Sequence, residues 1–274
     1  MGEKELQIPS KKLFLWVQRQ SKKAKIFLGV VTSFTLVVIL KLFIRKHNHF
    51  FVLAEFVHFI GLLCLIYKLS TLKTCSGLSL KTQVLTATFL GVRLFCGYIM
   101  VAPAHFFLDI VTLAATFWVK HMMKSKLKSS YMADLDTVPI WYLIVPCAIV
   151  AVIIHPITRH AILLDVLWAF SAYLEAISVL PQLRLMQNVQ IIEPFTAHYV
   201  FALGIQRFLS CAHWIVQVYD TRGAYLYLAG RGYLWIPMIF VSEIVQTFIL
   251  ADFCYYYIKS VMSGQLLVRR STPV

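Results

Sequence analysis

Apolar residues run almost unbroken through eight stretches of this chain, near 25–44, 50–69, 82–102, 105–123, 139–157, 161–183, 195–218 and 233–258. About 20 such residues wound as a helix cross the roughly 30 Å hydrocarbon core of a bilayer. The pattern therefore predicts eight transmembrane helices, joined by loops too short to hold a folded soluble domain.

Composition supports that class. Of 274 residues, 59% are hydrophobic and only 14% are charged, which is far less charge than a soluble surface needs. The net charge of +14 follows the loops and does not imply nucleic-acid binding, since excess Lys and Arg collect in the cytoplasmic loops of membrane proteins. With the N-terminus in the cytosol, that side receives 18 Lys and Arg and the other side five. Both termini are then expected to be cytosolic, with the first stretch acting as a signal anchor and not as a cleaved signal peptide. The six cysteines show no metal-ligand spacing and no disulfide framework. Neither a metal nor a cofactor is expected, and no nucleophile–base pair or phosphate-cradling loop points to an enzyme. Ser210 and His213, three residues apart, are a poor catalytic pair.

The interruptions in the apolar pattern carry the chemistry. Arg93 and Arg207 lie eleven and twelve residues into their segments, roughly 17 Å along a helix and so near mid-membrane. A charge at that depth costs a few kcal/mol on insertion scales and persists where it faces partners or a water-filled cavity. Two alternatives follow: an anion-seeking cavity, or pairing with buried acids such as Glu55 or Glu175. The two halves of the chain also echo each other. Glu55 and His58 precede the Arg93 segment, Asp165 and Trp168 precede the Arg207 segment, and each pair is spaced by three on one helix face. That reads as two parallel three-helix repeats with 139–157 as the linker between them, a design in which ligands bind near the midplane.

The stretch CSGLSLKTQVL (75–85) followed by Arg93, the stretch YLEAISVLPQL (173–183), and HYVFALGIQR (198–207) together resemble the signatures of the KDEL receptors, the ER lumen protein-retaining receptors. The likeness runs over roughly 48–262, and Pro181–Gln182 places it in the wider PQ-loop group, related in fold to the SWEET sugar transporters. The fold implied is all-α, a polytopic membrane bundle with a seven-helix core of two parallel three-helix repeats plus one extra N-terminal transmembrane helix. The implied organisation is a basic extension over 1–47, the receptor-like domain over 48–262, and a cytosolic tail over 263–274.

The resemblance implies a receptor that binds the C-terminal KDEL or HDEL signal of luminal proteins in the acidic Golgi and returns them to the ER in COPI vesicles. Ligand contacts are implied for Arg93, Arg207, Asp165, Trp168 and His58, with His58 as pH sensor, and Ser210 and His213 stand at further ligand positions. Glu55 is a candidate acid beside His58, and Glu175 and Asp252 match acids linked to the pH-driven change. Partners are the signal peptides, the COPI coat and membrane lipid, in ER and Golgi membranes.

Departures from the family pattern are specific. Cys96 stands where the family has an aspartate that meets the ligand's basic residue, Ser210 replaces a tyrosine, His213 an asparagine, Gln217 an arginine, Gln206 a tyrosine and Phe51 an arginine. Each lost charged hydrogen bond weakens binding by about 1.5–3 kcal/mol. Asp109 and Glu243 match nothing in the family; pairing with each other and facing a cavity are both open. Two other readings stand beside retrieval: a PQ-loop transporter of a small anionic solute, and a paralogue that has lost HDEL binding and acts in trafficking.

Overall fold

Residues 48–67 are apolar at nearly every position on every side, which suits a helix surrounded by lipid on one face and protein on the other. In a computed structural model of the chain they form α1 (Asn48–Tyr67), extended by a wider turn over Lys68–Leu72. The structure describes residues 48–100, 103–158, 160–189, 191–230, 233–262 and 268–269. The expected first transmembrane stretch and the basic extension lie outside the described residues, as does most of the tail.

The remaining helices follow in order: α2 (Leu80–Met100), α3 (Pro103–His121), α4 (Trp141–Ile153), α5 (Ile162–Ile177), α6 (Leu180–Asn188), α7 (Pro194–Asp220), α8 (Ala224–Gly230) and α9 (Trp235–Met262). Six helices among the described residues are long and apolar enough to cross a membrane, with α5 and α6 counted as one span over Ile162–Asn188. Their outward positions are apolar, as at Phe56, Phe107, Phe117 and Phe248, which is how a bundle presents itself to lipid. The polytopic helical bundle read from the sequence is therefore present.

The 139–157 stretch needs correction as a full span. Its helix α4 covers only Trp141–Ile153, roughly 20 Å at 1.5 Å per residue. The chain turns extended at Ile154, because Pro156 follows closely and the residue before a proline is driven out of the helical region. A second difference is the short helix α8, where only a loop was expected. The one strand pairing among the described residues is two residues long, β1 (Ile191–Ile192) against β2 (Val268–Arg269), antiparallel.

Two antiparallel packings organise the bundle. Helix α1 lies along α7, with Phe51 against His213 at one end and Tyr67 against Phe195 at the other. Gly61 allows the approach, since a Cβ there would sit 3.0 Å from Ala202 Cβ. Helix α7 lies equally close to α9: a Cβ at Gly204 would collide with Cys254 Sγ, and Tyr257 meets His198 at 2.8 Å.

The end of the bundle that carries the loop lysines is pinned by polar groups. Lys68 is fully buried, and its ammonium donates to Ser76 O (2.6 Å) and Thr196 Oγ1 (2.8 Å) and pairs with Glu193 Oε2 (2.6 Å). The two sequence signatures meet here. Gln182 accepts from Ser79 N (2.8 Å), donates to Gly77 O (2.8 Å), and its own N–H donates to Thr82 Oγ1 (2.9 Å). Pro181, at the first turn of α6, sets the helix break that aims Gln182 at α2. Gly77 supplies the left-handed backbone of the turn, φ +73°. Asp136, in the loop before α4, accepts from Ser79 Oγ (3.0 Å), Tyr131 OH (2.7 Å) and Lys81 N (3.3 Å).

Candidate functional site: a buried arginine–carboxylate network

On α2, Thr82, Thr86, Phe89 and Arg93 recur at helical spacing and all are buried, so the arginine continues the stripe that faces the bundle. On α7, Tyr199, Gln206 and Arg207 do the same. The packing that hides these stripes brings acids from three other helices against the guanidinium groups.

Arg93 is held in a fork by Asp109 of α3, through Nε to Oδ2 at 3.1 Å and Nη2 to Oδ1 at 2.6 Å. Its Nη1 donates to Glu175 Oε2 of α5 at 3.0 Å, and its Nη2 is 3.3 Å from Glu55 Oε1 of α1. The rings of Phe89 and Phe51 lie 5.6 and 6.0 Å from its guanidinium carbon, within cation–π range. Arg207 donates through Nη1 to the other oxygen of Glu175, Oε1, at 2.8 Å. One carboxylate thus bridges both arginines, one oxygen to each. Five helices contribute one charged group apiece, so the network also fixes their mutual register.

Both alternatives for the arginines find an observation: Arg93 pairs with Asp109, Glu175 and Glu55, and Arg207 pairs with Glu175 while also bordering a small cavity. Sequence reading left Asp109 open, with Glu243 as one possible partner; it pairs with Arg93 instead. The signal was available, because an acid inside an apolar span needs a partner as much as an arginine does. Glu243 accepts from Ser210 Oγ at 2.9 Å. His58, one turn along α1 from Glu55, is buried, and its Nδ1 has no hydrogen-bond partner among the described residues. With Arg207, Thr82, Thr86 and Ser178 it forms the polar part of a cavity of about 10 Å³ whose other walls are Phe89, Val179, Leu203 and Leu250, which is room for a single water.

Other expected residues lie elsewhere. Asp165 is buried, but both its oxygens accept from Thr158, from N at 3.0 Å and from Oγ1 at 2.6 Å, so it anchors the turn between α4 and α5. Trp168 packs into the apolar core beside α4 and α9. His213 meets the edge of Phe51, ring centroids 5.8 Å apart. Asp252 is exposed and borders a groove of about 70 Å³ between α6 and α9, with Met186, Ile192 and Tyr256. Cys96 is buried, and its thiol points to Leu164 O at 3.9 Å.

Against known proteins, the family profile described as ER lumen protein retaining receptor matches residues 74–217. The ER lumen protein-retaining receptor of Dictyostelium discoideum is 35% identical over 229 residues, covering 81% of this chain and 98% of that protein. Receptor erd-2.2 of Caenorhabditis elegans is 36% identical over 218 residues, 78% of this chain and 95% of the relative. Receptor B of Arabidopsis thaliana is 34% identical over 218 residues, 78% and 94% respectively.

Proposed function

Since this chain belongs to the family of ER lumen protein-retaining receptors, we propose that it binds C-terminal retention signals of luminal proteins and returns them to the ER. The observation that carries this reading is the pair Arg93 and Arg207, drawn together inside the bundle and bridged by the Glu175 carboxylate. A peptide terminus ends in a carboxylate of the same chemistry. The bridging position of Glu175 shows that a single carboxylate is satisfied there by two guanidinium donors, which is the strong, charge-assisted form of recognition.

On this reading the receptor domain comprises residues 48–262 and forms a seven-helix PQ-loop bundle in which α1–α3 and α5, α7 and α9 are parallel repeats. The packing supports it: α1 lies on α7 while α2 lies on α5, so the first helix of each repeat meets the second of the other. The basic end faces the cytosol together with both termini, in ER and Golgi membranes, and the loaded receptor is collected by the COPI coat. The extra span over 25–44 serves as an anchor within the 1–47 extension, and 263–274 is the cytosolic tail. Membrane lipid surrounds the outward apolar positions. His58, Arg93 and Arg207 line the binding region, with Trp168, Ser210 and His213 on its walls and Glu55 and Glu175 as its acids. Asp165 and Asp252 act at the two ends, through the α4–α5 turn and the cytosolic groove. Acidic pH favours binding through His58, since an imidazole is the side chain whose ordinary titration falls between Golgi and ER pH.

The experiment is a retention rescue. In cells lacking the usual receptor, this chain is expected to keep an HDEL-tagged reporter inside, and Arg207→Ala to release it. Secretion of the reporter despite normal delivery of the chain to ER and Golgi membranes overturns the reading.

A further inference from the structure

Three acceptor oxygens along one wall of this site have no donor among the described residues. Glu243 of α9 receives a hydrogen bond at Oε1 from Ser210, but its Oε2 has no partner among the described residues, though the residue is only 8% exposed. The Ser210–Glu243 bond sets the local register of α7 and α9. The contact of Tyr257 with His198 farther along shows that the two helices run antiparallel. Gln206 lies one turn from Ser210 along α7, and Gln246 lies one turn from Glu243 along α9. In an antiparallel pair those two steps go the same way, so Gln206 and Gln246 occupy the same level of the seam. Both are buried, at 1% and 2% exposure, and Oε1 of each lacks a donor among the described residues. Three unpartnered acceptor oxygens, one of them a carboxylate oxygen, therefore share a short stretch of the α7–α9 seam.

Charge accounting points the same way. Around the two buried guanidinium groups of Arg93 and Arg207 stand the buried carboxylates of Glu55, Asp109 and Glu243 and the half-buried one of Glu175, while the buried Lys68 and Asp165 are bonded elsewhere, to Glu193 and Thr158. A purely anionic ligand adds to that excess, whereas a ligand that also carries a positive donor group relieves it. Buried acceptors left without donors are costly, and more so when charged. A compact ammonium offers three hydrogens in different directions, which matches three separate acceptor oxygens.

Resting on the retrieval reading above, we propose that Glu243, with Gln206 and Gln246, forms a subsite for the positively charged side chain of the C-terminal signal. The arginine pair takes the peptide carboxylates, and the α7–α9 seam takes the ammonium. The seam thus selects tails that carry a lysine-like group over neutral ones.

The test is binding of two fluorescent peptides to the full chain in lipid nanodiscs, at acidic and neutral pH. One ends in KDEL; the other has norleucine, its neutral near-isostere, in place of the lysine. The wild-type chain is expected to prefer the lysine peptide by about tenfold or more, as a buried charge-assisted contact requires. Glu243→Gln is expected to bring the ratio to about one by weakening the lysine peptide, and Gln246→Met to lower it severalfold with no change of charge. A wild-type preference that survives Glu243→Gln overturns the subsite and leaves the retrieval reading standing. So does a gain for both peptides alike in that variant, which would make Glu243 a mere repeller of peptide carboxylates. If sodium in place of choline raises the norleucine peptide to the affinity of the lysine peptide, an inorganic cation fills the seam and the subsite is again overturned. Binding of neither peptide at either pH overturns the retrieval reading, and the subsite with it.

Discussion

Glu175→Gln tests the architecture of the site most directly. Among the described residues Glu175 is the one carboxylate that reaches both arginines, at 3.0 Å from Arg93 Nη1 and 2.8 Å from Arg207 Nη1. Arg93 keeps its fork on Asp109 and its contact with Glu55 when Glu175 is neutralised. Arg207 loses the partner that holds it, although an amide oxygen still offers a neutral hydrogen bond. Removing one partner of a buried pair costs about 3–5 kcal/mol because the other charge is left uncompensated. Asp109→Asn is milder, because Arg93 retains two carboxylates; one to two charge-assisted bonds weaken, for about 1.5–3 kcal/mol. Reversible unfolding in mixed lipid–detergent micelles gives both values. A cycle with Arg207→Gln then isolates the pair, with an expected coupling of about 1.5–3 kcal/mol. Coupling below about 0.5 kcal/mol, or a Glu175→Gln loss no larger than that of Asp109→Asn, refutes the view that Glu175 is the keystone of both guanidinium groups.

Further outcomes are expected elsewhere in the bundle. Gly204→Ala drives a methyl into Cys254 Sγ; it should cost about 1–3 kcal/mol by overpacking, and Cys254→Ala on that background should recover most of the loss in the same unfolding assay. Tyr131 lies outside the spans, and burial, followed by its hydrogen bond to Asp136, pushes its hydroxyl well above the ordinary tyrosine value. A raised value in the folded state means that its contribution is complete below about pH 10, the unfolded tyrosine value, and fades as the pH climbs beyond it. Unfolding midpoints compared at neutral and strongly alkaline pH should fall more steeply for the wild-type chain than for Tyr131→Phe; equal slopes would exclude the contact. Gln182→Ala removes the side-chain links to Ser79 N and Gly77 O, and faster amide exchange confined to the 75–82 turn is the expected readout.

The length of each apolar stretch was enough to place the described spans, because a bilayer demands about 20 apolar residues whatever they pack against. The 139–157 stretch escaped that logic: apolar content says nothing of where a helix stops, and Pro156 closes α4 short. Arg93, Arg207, Glu55 and Glu175 were legible as site residues for the same reason, since charge inside an apolar span is conspicuous on sight. What the sequence by itself determined is therefore the membrane class, the helical order and the identity of the buried charges. The pairing of those charges was decided by tertiary structure. Asp109 meets Arg93 and not Glu243, Asp165 turns to Thr158, Gln182 closes on Ser79 and Gly77, and three acceptors on the α7–α9 seam are left without donors among the described residues. Hydrophobicity is a one-body property that each residue carries along the chain, whereas an ion pair or an orphaned acceptor depends on which helix faces stand within about 3 Å of one another.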